Sequence, residues 1–383
     1  MSNSKKSVLV LGAGLIGKPM AFDLIKNNAY LVGVADISET SLKPFENTGI
    51  QGFCFDLKNK SELQKLVKQF DFVINAVPGF IGFETLKSVI ECKKDVVDIA
   101  FYPEDPFELN KLAQENGVCV ICDMGVAPGM SHLLSGFAAS QLKEVESLII
   151  YVGGLPKMRS YPWEYKAMFS PSDVIEEYTR PARLIENGKI VFKEALSESE
   201  LLEFDPVGTL EAFNSDGLRS LVYTIKANYM AEKTLRYPGH IGLIKAMKSS
   251  GFFDENPLEI NGSEISPLEF TKKVLFSKWK LESGEEDITI MRIVVKGKTE
   301  NDISRQFQWD LVDNYDHETS IHSMARTTGY AATAALRLID SGVFKKPGMH
   351  VPEFVGKDEK SVDFILSYLK ERGIHYKMIL KDL

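Results

Sequence analysis

Residues 7–17 read SVLVLGAGLIG, and this stretch decides the fold. The apolar run up to Leu11 is typical of a central parallel strand that is buried on both faces. Glycines follow at positions 12, 14 and 17, and a helical pattern runs from Leu15 to about Asn27. In this strand–turn–helix context, GxGxxG indicates a dinucleotide site whose glycines permit a tight turn, a close approach to pyrophosphate and close helix–strand packing. We expect the phosphates to lie at the helix N-terminus, held by Gly12, Ala13, Gly14, Leu15, Ile16 and Gly17.

Strands and helices alternate over the next hundred residues. The patterns predict strands at 30–36, 52–56, 72–77, 95–100 and 118–123, and helices near 61–70, 84–92 and 106–116. Strict alternation of this kind is typical of a doubly wound parallel sheet, so we predict an α/β Rossmann domain.

The pattern changes after about residue 125. Strand-like segments at 146–156, 188–195 and 288–299 are separated by long polar or helical stretches, which indicates an α+β domain around a mixed or antiparallel sheet. Segment 317–340 has a helical period and is expected to return to the first sheet. We therefore predict a discontinuous Rossmann domain at 1–125 and 318–383, and a second domain at 126–317. Two domains also suit a chain of 383 residues.

Asp36 ends the second predicted strand, 19 residues after Gly17. An acid at this place accepts hydrogen bonds from the ribose 2′-hydroxyl and repels a 2′-phosphate, so NAD is favoured over NADP. Ser38, Ser41 and Lys43 could soften that preference.

Other candidate cofactor contacts lie at the ends of later strands. Asp56 closes the third strand and is either an adenine neighbour or a turn-capping acid. The run Ala76, Val77 and Pro78 ends the fourth strand, where such sheets place the nicotinamide.

Charge and length argue against several classes of function. The net charge is −8 and the pI about 5.5, without a basic cluster, so we expect neither nucleic-acid binding nor binding to anionic membranes. No apolar run approaches the ~18 residues that span a bilayer. The polar start MSNSKK does not resemble a signal peptide. We expect a cytoplasmic protein.

The cysteines and histidines offer little sign of a metal site. Cys119 and Cys122 form a CxxC, which is either a redox or metal motif or part of a buried strand. We favour the strand, because a spacing of three residues puts the two side chains on opposite faces. His317 and His322 are five residues apart, which differs from the i,i+4 spacing of a helical metal pair. We predict no metal.

Seven sequence blocks, in this order, resemble the saccharopine dehydrogenase-like proteins, and within them most closely the lysine 6-dehydrogenase branch. The resemblance runs from about residue 7 to 356, and the blocks are GAGLIG, NAVPGFIGFETLKSVIECKKDVVDIAF, CDMGVAPGMSHLL, YVGGLP, SPSDVIEEYTRPARLIENG, NSDGLRSL and TLRYPGH. The resemblance implies a split Rossmann domain, a substrate domain that also forms a homodimer, and hydride transfer at an amine-bearing carbon. It also implies Ala100 as a cofactor contact and Phe101 as a substrate contact.

The resemblance leaves two substrates open. In the lysine branch, the ε-carbon of L-lysine is oxidised, and the imine is hydrolysed to allysine, which cyclises to piperideine-6-carboxylate as ammonia leaves. Saccharopine reductases act instead on a secondary amine and resemble this chain from Asp123 to Gly129 and from Thr234 to Tyr237. Their Asn-Arg-Asp-Ser order is replaced here by the run from Asn214 to Arg219, which disfavours saccharopine.

An amino-acid substrate has a carboxylate to bind and an amine to deprotonate, and these two needs suggest candidate residues. A carboxylate suits a guanidinium fork, which Arg219, Arg236 or Arg180 could supply, although most arginines are simply solvated. An amine must lose its proton before it gives up hydride, so a base is useful. Asp123 follows the end of a strand, and His240 would titrate near neutral pH. Each also has a structural interpretation, Asp123 as a turn cap and His240 as a buried or surface histidine.

Three functions therefore compete. The first is NAD-dependent oxidative deamination of lysine or a close relative, and the second is a saccharopine-type reductase. The third is a non-catalytic NAD-binding regulator on the same fold. The presence of Asp123, Arg219, Arg236 and His240 in one chain speaks against a regulator, which needs none of them.

Overall fold

The computed structural model describes residues 5–168, 171–282 and 284–383, without the side chains of 171–173. The chain divides into two units. The first comprises residues 1–137 and 325–375, and the second comprises 138–324 and 376–383.

The elements are numbered in chain order. The strands are β1 (Ser7–Leu11), β2 (Leu31–Asp36), β3 (Gln51–Cys54), β4 (Phe72–Asn75), β5 (Asp95–Asp98), β6 (Cys119–Ile121), β7 (Glu144–Pro156), β8 (Ala182–Glu186), β9 (Lys189–Lys193), β10 (Glu200–Phe204), β11 (Gly208–Ser215), β12 (Ala227–Arg236), β13 (Leu258–Ile260), β14 (Ser263–Ile265), β15 (Asp287–Lys298), β16 (Ser304–Asn314), β17 (Gly348–His350) and β18 (Lys377–Asp382). The α-helices are α1 (Gly17–Ile25), α2 (Glu39–Leu42), α3 (Lys60–Val67), α4 (Gly79–Glu91), α5 (Asn110–Glu115), α6 (Met130–Ser140), α7 (Pro171–Thr179), α8 (Leu221–Thr224), α9 (His240–Ser249), α10 (Pro267–Trp279), α11 (Ser323–Ser341), α12 (Pro352–Val355) and α13 (Glu359–Lys370). Among the described helices, none is long and apolar enough to cross a membrane.

The first unit is built on a parallel sheet with strand order β17-β6-β5-β4-β1-β2-β3. Its central strands are fully buried, because helices cover such sheets on both faces. The order reverses between β1 and β4, and ligands of open α/β sheets bind beyond the carboxyl ends of the strands at such a point. The predicted Rossmann fold is confirmed.

The chain returns to this unit after residue 324. The carboxylate of Asp23 on α1 is fully buried and accepts hydrogen bonds from Thr333 on α11, from Tyr368 on α13 and from Arg372, each at 2.6 Å. A buried carboxylate with three donors ties the returning helices to the first helix.

The second unit contains a mixed sheet with strand order β10-β11-β12-β7-β15-β16-β18, and β8 also pairs with β12 and β9. β12 and β7 are parallel, whereas the other neighbours along that order are antiparallel. The predicted α+β character of this half is therefore observed. The last strand, β18, pairs with β16 and belongs to the second unit, whereas our predicted bounds assign 318–383 to the Rossmann domain.

Candidate active site

The glycine turn between β1 and α1 has the geometry that its sequence requires. Gly12 has φ +100°, and a Cβ there would lie 2.5 Å from the carbonyl oxygen of Ala76. A Cβ on Gly17 would lie 2.0 Å from the oxygen of Gly12. Space is open around Gly14, and Leu15 is 62% exposed. The backbone at Gly14 is therefore accessible to a phosphate, and these residues fit a dinucleotide.

Asp36 fastens this turn to β2. Its Oδ2 accepts the N–H of Ala13 at 2.7 Å, and its Oδ1 accepts the N–H of Ser38 at 2.8 Å. A carboxylate has about four acceptor positions, so it can still accept a ribose hydroxyl. Ser38, which we considered as a softening contact, caps α2 by accepting the N–H of Ser41.

The remaining predicted cofactor residues lie at the expected strand ends. Asp56 is exposed and accepts the N–H of Lys58 at 3.0 Å, so the turn-capping alternative is observed. Its contact with adenine stays a prediction. Ala76 and Val77 border Gly12, and Pro78 precedes the first residue of α4.

Two acids lie at the carboxyl ends of neighbouring strands of the parallel sheet. Asp98, which ends β5, is fully buried and accepts the Ala100 N–H and the Tyr102 hydroxyl, both at 2.9 Å. Burial raises the pKa of Asp98 to about 8, and Asp123 adds to the increase. Asp123 follows β6 with φ +52° and is 6% exposed. The first unit thus places two carboxyl groups at the carboxyl edge of its sheet, and burial raises the pKa of one of them, Asp98.

The loop after β5 carries Ala100 and Phe101. A Cβ on Gly79 would lie 1.9 Å from the carbonyl oxygen of Phe101, and a Cβ on Gly82 would lie 2.6 Å from Cβ of Ala100. The two glycines at the start of α4 therefore let the helix approach the loop closely. Asp98 fixes the loop from the other side through Ala100 and Tyr102.

In the second unit, the two arginine motifs lie on neighbouring strands. β11 and β12 are antiparallel, with Ser215 opposite Glu232 and Glu211 opposite Arg236. Arg219 comes four residues after Ser215, the last residue of β11. On β12, Arg236 lies four residues from Glu232, the partner of Ser215, which is roughly 13 Å at ~3.3 Å per residue. The register therefore places the end of β11, from which the segment with Arg219 continues, four residues along β12 from Arg236.

Arg236 belongs to a buried network and is only 2% exposed. Its Nη2 donates to Oε2 of Glu177 at 2.5 Å, its Nη1 to the Leu235 carbonyl and its Nε to the Tyr178 hydroxyl. The guanidinium also lies 4.3 Å from the centre of the Tyr165 ring. The burial contradicts the alternative that Arg236 is a solvated arginine, whereas its binding to the substrate carboxylate stays a prediction. Its partners are protein groups, and Glu177 is the more exposed end of the network.

His240 continues the same network. Its Nδ1 lies 2.8 Å from the carbonyl oxygen of Trp163, and its Nε2 lies 3.0 Å from the Tyr178 hydroxyl. A neutral ring that donates from Nδ1 and accepts at Nε2 satisfies both contacts. Burial and, after it, the Arg236 guanidinium together lower its pKa to about 3. The prediction that His240 titrates near neutral pH is wrong, because the ring is 2% exposed and lies beside a fixed cation.

Two other features remain outside these clusters. Arg180 forms an i,i+4 ion pair with Glu176 at the end of α7, and its side chain is 37% exposed. Cys119 and Cys122 are buried thiols, and burial raises the pKa of Cys119 to about 12, which suits an inert strand residue.

Our interpretation of the sequence did not single out Asp98 or Glu232. Glu232 lies on β12, is 5% exposed, and has an Oε2 without a hydrogen-bond partner. Burial, together with Glu177 and Asp216, raises its pKa to about 8. The sequence did contain one sign of its position: Glu232 alternates with Thr234 and Arg236, as residues on one face of a strand do.

Comparisons with known proteins agree with this architecture. Residues 8–121 match the saccharopine dehydrogenase NADP binding domain, and residues 125–374 match the saccharopine dehydrogenase C-terminal domain.

Individual relatives are distant. Alpha-aminoadipic semialdehyde synthase of Mus musculus is 28% identical over 309 residues, covering 72% of this chain and 33% of that protein. The chain thus spans about a third of the length of that relative. Saccharopine dehydrogenase (NADP(+), L-glutamate-forming) of Saccharomyces cerevisiae is 27% identical over 320 residues, covering 79% of this chain and 70% of that enzyme. Carboxyaminopropylagmatine dehydrogenase of Synechocystis is 22% identical and covers 97% of both chains.

Two solved structures share the fold. Apo saccharopine dehydrogenase (L-Glu forming) from Saccharomyces cerevisiae superimposes with a TM-score of 0.84 at 22% identity, covering 98% of this chain and 100% of that one. Homospermidine synthase from Legionella pneumophila in complex with NAD gives a TM-score of 0.68 at 10% identity, covering 99% and 92%. Because a family model matches most of its length, the chain belongs to the saccharopine dehydrogenase family.

Proposed function

We propose that this protein is an NAD(P)-dependent oxidoreductase that oxidises the amine-bearing carbon of an amino acid, with L-lysine at its ε-carbon as the favoured substrate. The observation that carries the proposal is the arrangement of the first unit. One sheet bears a glycine turn fastened by Asp36 and, after β5 and β6, the carboxyl groups of Asp98 and Asp123.

The chemistry needs a neutral amine. A bound nicotinamide would supply the hydride acceptor. The substrate carbon gives up hydride while the nitrogen lone pair forms the C=N bond, and the nitrogen loses a proton. Water then adds to the imine and ammonia leaves. We assign to Asp123 the removal of a proton from the reacting nitrogen.

The substrate carboxylate requires a cation. Since Arg236 is enclosed in the second unit, we propose Arg219 for this role. Its backbone has φ +46°, and the side chain belongs to the motif that differs from the saccharopine reductases. Phe101 and Arg180 are further proposed substrate contacts.

NAD is the preferred cofactor in this proposal, because the Asp36 carboxylate would repel a 2′-phosphate. The family model carries the description NADP binding domain, and the yeast relative is named as NADP-dependent. The two cofactors must therefore be compared directly on this chain.

A second candidate is a saccharopine-type reductase. The name of the yeast relative favours it, whereas the run from Asn214 to Arg219 disfavours it. The non-catalytic regulator is the third candidate. It predicts cofactor binding without turnover on any amine.

Steady-state kinetics of two variants test the residue assignments. Asp123→Asn should lower kcat by ~10²–10⁴, as expected for an acid–base residue. Arg219→Ala should mainly raise KM, because a carboxylate is held equally in the ground and transition states. Arg305→Ala, which removes an arginine paired with Asp382, serves as a control for the loss of an arginine outside the proposed site. If both variants keep the kcat/KM of the wild type, the assignments are wrong.

A further inference from the structure

The loop after β5 is anchored by a buried carboxyl group at the carboxyl edge of the parallel sheet. Asp98, the last residue of β5, is fully buried and accepts the N–H of Ala100 and the hydroxyl of Tyr102, both at 2.9 Å. The Tyr102 ring is also buried and packs edge-on against Phe83 of α4, with 5.6 Å between the ring centres. Asp98 thus fixes both ends of the short run from Ala100 to Tyr102.

The start of α4 holds the same loop from the other side. A Cβ on Gly79 would lie 1.9 Å from the carbonyl oxygen of Phe101, so the helix and the loop are in close contact there. Asn75 ends β4 opposite Asp98 in the register, is fully buried, and donates to the Gly82 carbonyl oxygen at 3.1 Å. The ends of β4 and β5, the loop and the first turn of α4 therefore form one closely packed assembly.

This assembly lies where the nicotinamide half of a dinucleotide is expected. The glycine turn for the pyrophosphate follows β1, and Asp36, the expected ribose acceptor, ends β2. The adenosine half would therefore lie on the β2 side of β1. On the other side of β1, the strand order continues with β4 and then β5. A dinucleotide that crosses this edge brings its nicotinamide to the ends of β4 and β5.

We propose that Asp98 is a positioning residue for the nicotinamide ring, because it fixes the loop from Ala100 to Tyr102 as a wall of the ring's binding site. Hydride transfer requires the reacting atoms to be held within about 0.5 Å of the productive geometry, and rigid support of the contact residues supplies this precision. Asp98 does not touch the cofactor itself and acts through the loop. The assignment concerns the cofactor and holds whichever amine is the substrate.

Burial of the carboxyl group supports a role beyond stability. Removing a carboxyl group from water is unfavourable, and an apolar residue at the end of a buried strand would avoid that cost. Asp98 is retained at the one end of β5 that faces the cofactor edge, where its two hydrogen bonds both go to the loop.

Calorimetric titration of the full chain with NADH and with ADP-ribose tests the proposal without turnover. ADP-ribose lacks the nicotinamide, so it reports the rest of the cofactor site. Asp98→Ala removes both acceptors. We expect its Kd for NADH to rise about tenfold or more, whereas its Kd for ADP-ribose stays within about twofold of the wild type. A general loss of stability would weaken both ligands alike. NADPH and 2′-phospho-ADP-ribose take their place if the wild type prefers NADP.

Three further variants separate positioning from structure. Asp95 begins the same strand and accepts the Cys119 N–H at 2.9 Å, at the opposite edge of the sheet. Asp95→Ala should therefore bind both ligands like the wild type. Asp98→Asn keeps an acceptor oxygen and the side-chain volume, so it should recover most of the affinity for NADH. If Asp98→Ala does not fold, Tyr102→Phe, which removes only the hydroxyl, should weaken NADH by about threefold or more and leave ADP-ribose unchanged.

The outcomes distinguish this inference from the proposed function. If Asp98→Ala binds NADH like the wild type, or loses NADH and ADP-ribose by the same factor, the positioning role is wrong and the proposed oxidation of lysine is untouched. If Asp98→Ala loses NADH alone but the wild type oxidises no amine, the proposed function is wrong and the positioning role stands. A wild type that binds neither ligand would contradict both.

Discussion

At the scale of single residues, Asp36 sets the expected cofactor preference. Its two oxygens already hold the backbone of Ala13 and Ser38, so the carboxylate is fixed next to the glycine turn. We predict that Asp36→Ala shifts the ratio of kcat/KM for NAD and NADP toward NADP, because the variant loses a ribose acceptor and a repulsive charge. Glu62→Ala, which removes an exposed acid from α3, should leave the ratio unchanged. A wild type that prefers NADP would contradict the assignment.

His240 gives a prediction about acid stability. The folded pKa is about 3 and the ordinary value is 6.5, so between these pH values the unfolded chain binds more protons than the folded one. Stability from this group is complete above pH 6.5 and is lost as pH falls, by about 2 kcal/mol between about pH 7 and pH 5. Denaturant unfolding at the two pH values should show this extra loss in the wild type but not in His240→Gln. Equal pH dependence of both proteins would contradict the buried neutral ring.

The sequence predicted those residues whose roles depend on neighbours that are close along the chain. The glycine turn and Asp36 could be identified because their spacing along the chain fixes their geometry. Asp98, Glu232 and the state of His240 depend on burial and on neighbours distant in sequence. A single sequence cannot show that Glu232 lies against Gly217, or that Arg236 shields His240 from protonation.

At the scale of elements, α4 begins five residues earlier than its apolar pattern predicts. The helix starts at Gly79, and its first turn contains Gly82, which weakened the helical signal in the sequence. Both glycines are explained by close packing against the loop after β5. The strands β11 and β12 were not predicted. Along β12 the polar residues Glu232, Thr234 and Arg236 alternate on a buried face, and β11 ends in two adjacent buried polar residues, Asn214 and Ser215.

The close approach of α4 gives a prediction. Gly79→Ala should destabilise the protein by about 1–3 kcal/mol and raise KM for the cofactor or substrate, since the new methyl group must displace the Phe101 carbonyl. Gly242→Ala is the matched control. It is an exposed helical glycine without an atom within 4 Å of the new Cβ. This control should be neutral or stabilising by up to about 1 kcal/mol. Thermal and denaturant unfolding measure the stabilities of the two variants. Equal stabilities would contradict the close packing of Gly79 against Phe101.

At the scale of the whole molecule, the sequence predicted the fold class of each half but not the exact bounds of the two units. The hydrophobic runs of the first half identify a parallel sheet. The segment that returns to the first unit was expected, because its helical period resumes at 317–340. The final strand was not expected in the second unit, since β18 is only identified by its pairing with β16.

The central claim is that this chain oxidises an amino-acid amine with a nicotinamide cofactor. The most direct test is formation of NADH or NADPH from L-lysine, assayed against reductive consumption of NAD(P)H with L-lysine plus 2-oxoglutarate. We predict NADH formation from lysine alone, rising steeply from about pH 7 to about pH 10, because the free amine has a pKa of roughly 10.4. Consumption only in the presence of 2-oxoglutarate would contradict the lysine assignment in favour of a saccharopine-type reductase. Cofactor binding without turnover of any amine would contradict the central claim itself.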